Sequence, residues 1–185
     1  MASEQQQHFE EFVGDSFVVR NGFIGTDYAI MAGDGQELLW TRRQYFDEET
    51  EFRYLDESDT VRYRYLRHDE GSFRLVDGDT ETVLATVERE EEPGHWSVTT
   101  PTGDRVVLVG ETRRVSLFRT QRGRTMRILD EAGTQIGESS TRLLALRFTF
   151  DIDLAGVPES VKGPVVLAVP MLYDVMQEFT TEFRG

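Results

Sequence analysis

Cysteine is absent from the 185-residue chain, and lysine nearly so. Without a thiol there is no disulfide, no thiolate metal site, no cysteine nucleophile and no palmitoylation site. Of the 20 basic residues only Lys162 is a lysine, so 19 are arginines, set against 34 acidic residues for a formal net charge of −14. That balance excludes a general nucleic-acid binder, which gathers phosphates with a positive field. The three histidines, His8, His68 and His95, stand far apart without metal-ligand spacing. Long hydrophobic runs are missing as well: the most apolar stretch, Pro164 to Tyr173, has ten residues, about half of the roughly 20 that span a bilayer. Met1 to His8 has neither a basic n-region nor an apolar h-region, so it reads as a frayed tail of a cytoplasmic protein rather than a secretory signal. No H-E-x-x-H, G-x-S-x-G, Walker or dinucleotide motif occurs. Gly33-Asp-Gly35 is a turn with no helix after it, and the chain reads as a non-enzyme.

What the chain has is hairpins. From Phe17 to Leu154, hydrophobic runs alternate with Asp/Gly turns, as in Tyr28-Ala-Ile-Met-Ala-Gly-Asp-Gly-Gln-Glu-Leu-Leu-Trp40 and Met126-Arg-Ile-Leu-Asp-Glu-Ala-Gly-Thr-Gln-Ile136. Turn-forming aspartates and positive-φ glycines at this spacing indicate a sandwich or a barrel. Val61-Arg-Tyr-Arg-Tyr65 faces Glu51-Phe-Arg-Tyr-Leu55 across Asp56 to Asp59. A four-residue loop there sets Phe52 opposite Tyr63 and Tyr54 opposite Val61 inside, with Glu51 opposite Arg64 and Arg53 opposite Arg62 outside. The second outer pair is repulsive unless an anion lies between. A closing strand puts Leu146, Phe148, Phe150, Ile152 and Leu154 inward and Arg147, Thr149, Asp151 and Asp153 outward.

The apolar run that follows cannot sit on a surface, because it is apolar on every side. A β-chain buries such a segment inside a barrel of its own strands. We expect a helix over 163–180, with Pro164 at a first helical position and a kink or break at Pro170. The stretch up to Val169 is β-branched enough to be extended instead.

In this order the segments Tyr28–Gln36, Phe73–Asp77 with Thr86–Arg89, Phe148-Thr-Phe-Asp-Ile-Asp-Leu154, Val161-Lys162 and Leu172-Tyr-Asp-Val-Met-Gln-Glu-Phe179 resemble the phospholipid scramblase and LURP-one-related proteins. The resemblance covers about 9–180. It implies the Tubby C-terminal fold, a closed antiparallel barrel of about 12 strands around a hydrophobic C-terminal helix, with 1–8 as a tail and 9–185 as one domain. The chain lacks the Pro-rich, Cys-bearing N-terminal region of scramblases and carries Pro170 where the family has small or apolar residues. Its acidic, lysine-poor composition resembles that of cytosolic proteins of salt-accumulating archaea.

Two groups are candidates for function. The resemblance places Asp151 and Asp153, with Glu159 nearby in sequence, on the segment that scramblases are thought to use for Ca2+. Calcium needs six to eight oxygens, and the alternative is two solvated carboxylates on an acidic surface. Arg113, Arg114, Arg119, Arg122, Arg124 and Arg127 form a stretch with no acid. Guanidinium forks suit phosphate, so an outward cluster that binds anionic phospholipid headgroups at the inner membrane face is one reading, and pairing with acids on neighbouring strands is the other. Asp174 reads as a cap on the inner packing. The functional expectation is a scramblase/LURP-one-like lipid-binding module, peripheral at the membrane. A soluble protein-interaction or regulatory module, a scramblase proper and a small-ligand carrier are the alternatives.

Overall fold

A computed structural model describes residues 9–21, 27–46, 49–114, 122–142 and 149–182, with side chains at all of these except 42–46, 49–50, 111–114, 122–124, 142, 174 and 176–182. Twelve strands follow one another: β1 (Ser16–Asn21), β2 (Tyr28–Ala32), β3 (Glu37–Phe46), β4 (Glu49–Leu55), β5 (Val61–Asp69), β6 (Ser72–Asp77), β7 (Val83–Arg89), β8 (His95–Thr99), β9 (Arg105–Arg114), β10 (Arg122–Leu129), β11 (Gln135–Arg142) and β12 (Thr149–Asp153). Each pairs antiparallel with its chain neighbour, and β1 pairs with β12 to close the barrel. Closure leaves no free sheet edge. The expected barrel is therefore present, with α1 (Glu159–Glu182) as the one helix among the described residues.

The turns are built as the sequence suggests. Asp34 Oδ1 accepts from the Gln36 N–H at 2.9 Å, and Asp130 Oδ1 accepts from the Thr134 N–H at 2.7 Å. Side chains alternate along the strands except where bulges interrupt the register. On β12, Phe150 and Ile152 are buried while Asp151 and Asp153 lie on the other face. Leu146, Phe148 and Arg147 fall outside the described residues.

One register differs from expectation. Phe52 faces Tyr65, Arg53 faces Arg64, Tyr54 faces Tyr63 and Leu55 faces Val61, so Arg62 is an extra residue on β5 and Glu51 lies opposite Leu66. The cause lies outside the hairpin. The Arg62 carbonyl accepts from the Gly78 N–H at 2.8 Å, which draws that residue out of the β4–β5 ladder into a bulge. A Cβ on Gly78 would lie 2.0 Å from the Val61 carbonyl oxygen, so only glycine fits this close approach. Because pairing moves by two residues along most of the hairpin, Phe52, Tyr54, Tyr63 and Tyr65 all still point inward.

The helix begins earlier than the sequence suggested and is not broken. It starts at Glu159, just after Pro158, and continues through Pro164 and Pro170 as one element. Pro164 is thus inside the helix, not at its first position. The extra turn is held at the barrel floor: Ser160 Oγ donates to Asp104 Oδ2 at 2.8 Å, and Lys162 Nζ donates to Asp15 Oδ1 at 2.6 Å and Glu159 Oε1 at 2.5 Å. From Val161 to Tyr173 every residue is buried. Full burial of each Val, Leu or Met side chain contributes about 1.5–3 kcal/mol, so this helix is the centre of the core.

Two wall tyrosines fix its position. Tyr65 Oη donates to the Pro164 carbonyl at 2.9 Å, and Tyr54 Oη donates to the Leu167 carbonyl. Both hydroxyls are deep in the barrel, where an unpaired one would be costly. At the floor, residues 9–15 act as a plug. Phe9 stacks on Tyr63 with ring centroids 5.3 Å apart, Phe12 packs against Phe17, and Tyr63 Oη donates to Glu11 Oε1 at 2.7 Å. A Cβ on Gly163 would meet the Phe9 ring at 2.4 Å, so the helix carries glycine where the plug crosses it.

Candidate anion-binding surface

The basic stretch occupies the far ends of β9 and β10. Arg113 and Arg114 are the last two residues of β9, while Arg122, Arg124 and Arg127 lie on β10. Arg119 lies outside the described residues. The register sets Arg122 opposite Arg114, Gly123 opposite Arg113 and Arg124 opposite Thr112. Two arginines directly opposite each other on adjoining strands repel unless a negative charge is shared between them. From Thr112 to Leu129 the sequence supplies none.

The register assigns these strand positions to two alternating sets. Val106 and Leu108 point inward on β9, as do Met126 and Ile128 on β10. Arg114, Arg122 and Arg124 share that inner parity, whereas Arg113 and Arg127 occupy outer positions. Arg114 ends β9 and Arg122 begins β10, so this pair of positions lies at one end of the barrel wall. It is also the end towards which the helix runs. Ser160 and Lys162 are tied to Asp104 and Asp15 at the opposite end, while Tyr173 meets Phe150, near the start of β12, with ring centroids 4.8 Å apart.

Elsewhere the molecule solves the same problem internally. Arg53 faces Arg64 across β4 and β5, and the buried Glu51 carboxylate lies with both: Oε2 is 2.9 Å from Arg53 Nη2 and Oε1 is 3.7 Å from Arg64 Nη1. Arg64 reaches Glu81 as well, at 2.7 Å. A charge-assisted, shared carboxylate turns a repulsive pair into a clamp.

The second candidate lies on the outer face of β12. Asp151 lies between Val18 of β1 and Ser140 of β11, and Asp153 between Ser16 and Glu138. These residues line a cavity of about 760 Å³ on the barrel exterior. Glu138, contributed by cross-strand register, is a third carboxylate that sequence spacing could not find. Glu159 is not part of the group, because it turns to Lys162. Among the described residues no three His, Cys, Asp or Glu side chains converge as metal ligands, and the six to eight oxygens of calcium are not assembled. The Asp174 side chain lies outside the described residues. No helix among the described residues is long and apolar enough to cross a membrane.

Comparison with protein-family profiles finds no match, and comparison with curated protein sequences finds none. Among solved structures, the chain is similar to the X-ray structure of a protein from Arabidopsis thaliana, at a TM-score of 0.53 and 13% identity, over 87% of this chain and 91% of that one. At that identity the likeness is one of fold alone.

Proposed function

We propose that the chain is a non-enzymatic binding module of the scramblase and LURP-one kind, which holds anionic phospholipid headgroups at the arginine-bearing rim of β9 and β10. The observation that carries this reading is the Arg114–Arg122 cross-strand pair, flanked by Arg113 and Arg124 in a stretch with no acid. A phosphate diester offers the bidentate acceptor that two facing guanidinium forks accommodate. The net charge of −14 repels anionic surfaces at a distance, so binding works by contact. The Debye length is about 8 Å at 0.15 M salt and 3 Å at 1 M.

Lipid transfer between leaflets is a poor fit to this architecture. The helix would have to leave a barrel whose core it forms, and its completely buried run, Val161 to Tyr173, is about 20 Å long against a hydrocarbon core of about 30 Å. In the proposed role the helix stays inside, and the rim alone meets the membrane.

Vesicle flotation tests the reading. Wild-type protein should float with anionic phospholipid vesicles and not with zwitterionic ones, and Arg122→Glu/Arg124→Glu should abolish flotation while the melting curve is retained. Wild-type protein that stays at the bottom with both vesicle types would overturn it. Competition by inorganic phosphate separates a headgroup site from one for free phosphate.

A further inference from the structure

Most of the barrel exterior is polar, but β9 is apolar on both faces. Val106 and Leu108 fill the interior, while Val107 and Val109 point outward, with Leu129 paired to Val107 across β10. A strand apolar on both sides is the pattern of one covered on both sides. Val109 is already covered by its neighbours, but Val107 and Leu129 are only half-buried. They form the floor of a groove of about 560 Å³.

The two walls are acidic. The β7–β8 connection supplies Glu90, Glu91 and Glu92 on one side, and the turn after β10 supplies Asp130 and Glu131 on the other. Two of these charges are engaged, Glu90 with Arg105 at 2.6 Å and Glu92 with His95 Nδ1 at 2.6 Å. The groove therefore keeps a surplus of negative charge above an apolar floor, with Glu91 and Glu131 both exposed.

We propose that this groove docks an extended, basic segment of a partner protein, with apolar side chains on Val107 and Leu129 and the intervening arginine or lysine side chains against the two acidic walls. Alternation along an extended chain separates the two kinds of side chain in this way, and opposite charges along the walls fix orientation and register. The site is independent of the arginine rim, and either can fail without the other.

The probe is a short fluorescent peptide of alternating arginine and leucine, read by anisotropy at low ionic strength. It should bind, and a peptide of alternating glutamate and leucine should not. Glu91→Gln/Glu131→Gln should weaken binding about tenfold, and Val107→Ser should weaken it too, each with an unchanged melting curve. The decisive control is Glu57→Gln/Glu70→Gln, which removes the same charge from exposed positions elsewhere and should leave affinity unaltered. An equal loss in that control means that bulk negative charge does the binding, and the proposal falls. It falls equally if spermidine displaces the peptide as well as unlabelled peptide does, since the groove is then a small-cation site, or if the peptide does not bind.

Discussion

Arg53–Arg64 and Arg114–Arg122 are the same motif in two settings: arginines facing each other across adjoining antiparallel strands. Between the first pair the chain inserts Glu51, from two residues before Arg53 on the same strand, and the result is a partly buried ion cluster that belongs to the fold. Around the second pair the nearest acids along the strands are Glu111, which faces Thr125, and Asp130, beyond the strand end. A motif completed inside the molecule serves stability, whereas one whose counter-charge the local sequence omits is where an external anion gains most. The difference cannot be read from the arginines alone. It lies in what stands two residues away.

The largest effect is expected from removing the internal anion. Glu51→Gln leaves two half-buried guanidiniums facing each other and should cost about 2 kcal/mol, below the 3–5 kcal/mol seen when fully buried pairs are broken, because both arginines keep solvent contact. Urea unfolding measures it, and a loss under about 0.5 kcal/mol would show that Glu51 is not what holds the pair. Supplying an internal anion to the second pair is the converse. Arg122→Glu should change stability by less than about 1 kcal/mol, the range of exposed ion pairs, yet remove vesicle binding, and a large destabilisation would mark the rim as structural instead.

Lys162 offers a third case, a cation compensated twice. Burial pulls its pKa down, but hydrogen bonds to Asp15 and Glu159 and the charges of both carboxylates outweigh that and hold it above the ordinary lysine value. A raised folded-state pKa contributes stability that is full below the unfolded value, near 10.5, and is lost as pH rises through the folded value. Melting temperature should therefore fall more steeply on the alkaline side in wild type than in Lys162→Met, and parallel curves would remove the clamp from the account. The smallest effect belongs to β12: millimolar Ca2+ should shift the melting temperatures of wild type and Asp151→Asn/Asp153→Asn by the same amount, and a shift confined to wild type would restore a calcium site there.

Much of the architecture was legible because it depends on local chemistry. Asp/Gly turns placed the hairpins, two-residue alternation sorted Phe150 and Ile152 from Asp151 and Asp153, and a run apolar on every side required a barrel around it. Three things were not legible, each because a distant residue decides it. The β4–β5 register turns on the Gly78 N–H taking the Arg62 carbonyl. The helix start turns on Asp104 and Asp15 anchoring Ser160 and Lys162. The Phe9 plug is visible only once Gly163 is seen beneath it. For the candidate site, the acid-free arginine stretch stood out in the sequence, but the pairing of Arg114 with Arg122 came with the strand register. The acidic groove was hidden because its walls come from turns about 40 residues apart, set on either side of β9 by its pairing with β8 and β10.

The helix that fills the barrel is synthesised after all twelve strands that surround it. Domains emerging from the ribosome commonly fold from the N-terminus onward, but here the hydroxyls of Tyr54 and Tyr65 have no helix carbonyls to meet until α1 exists. β1, likewise, waits for β12 to close the ring. A nascent chain stalled before Glu159 would thus present a lined but empty wall to every chaperone and neighbouring chain in reach. A chain cut between Glu159 and Tyr173 should be felt as aggregation rather than as a shortened, working protein.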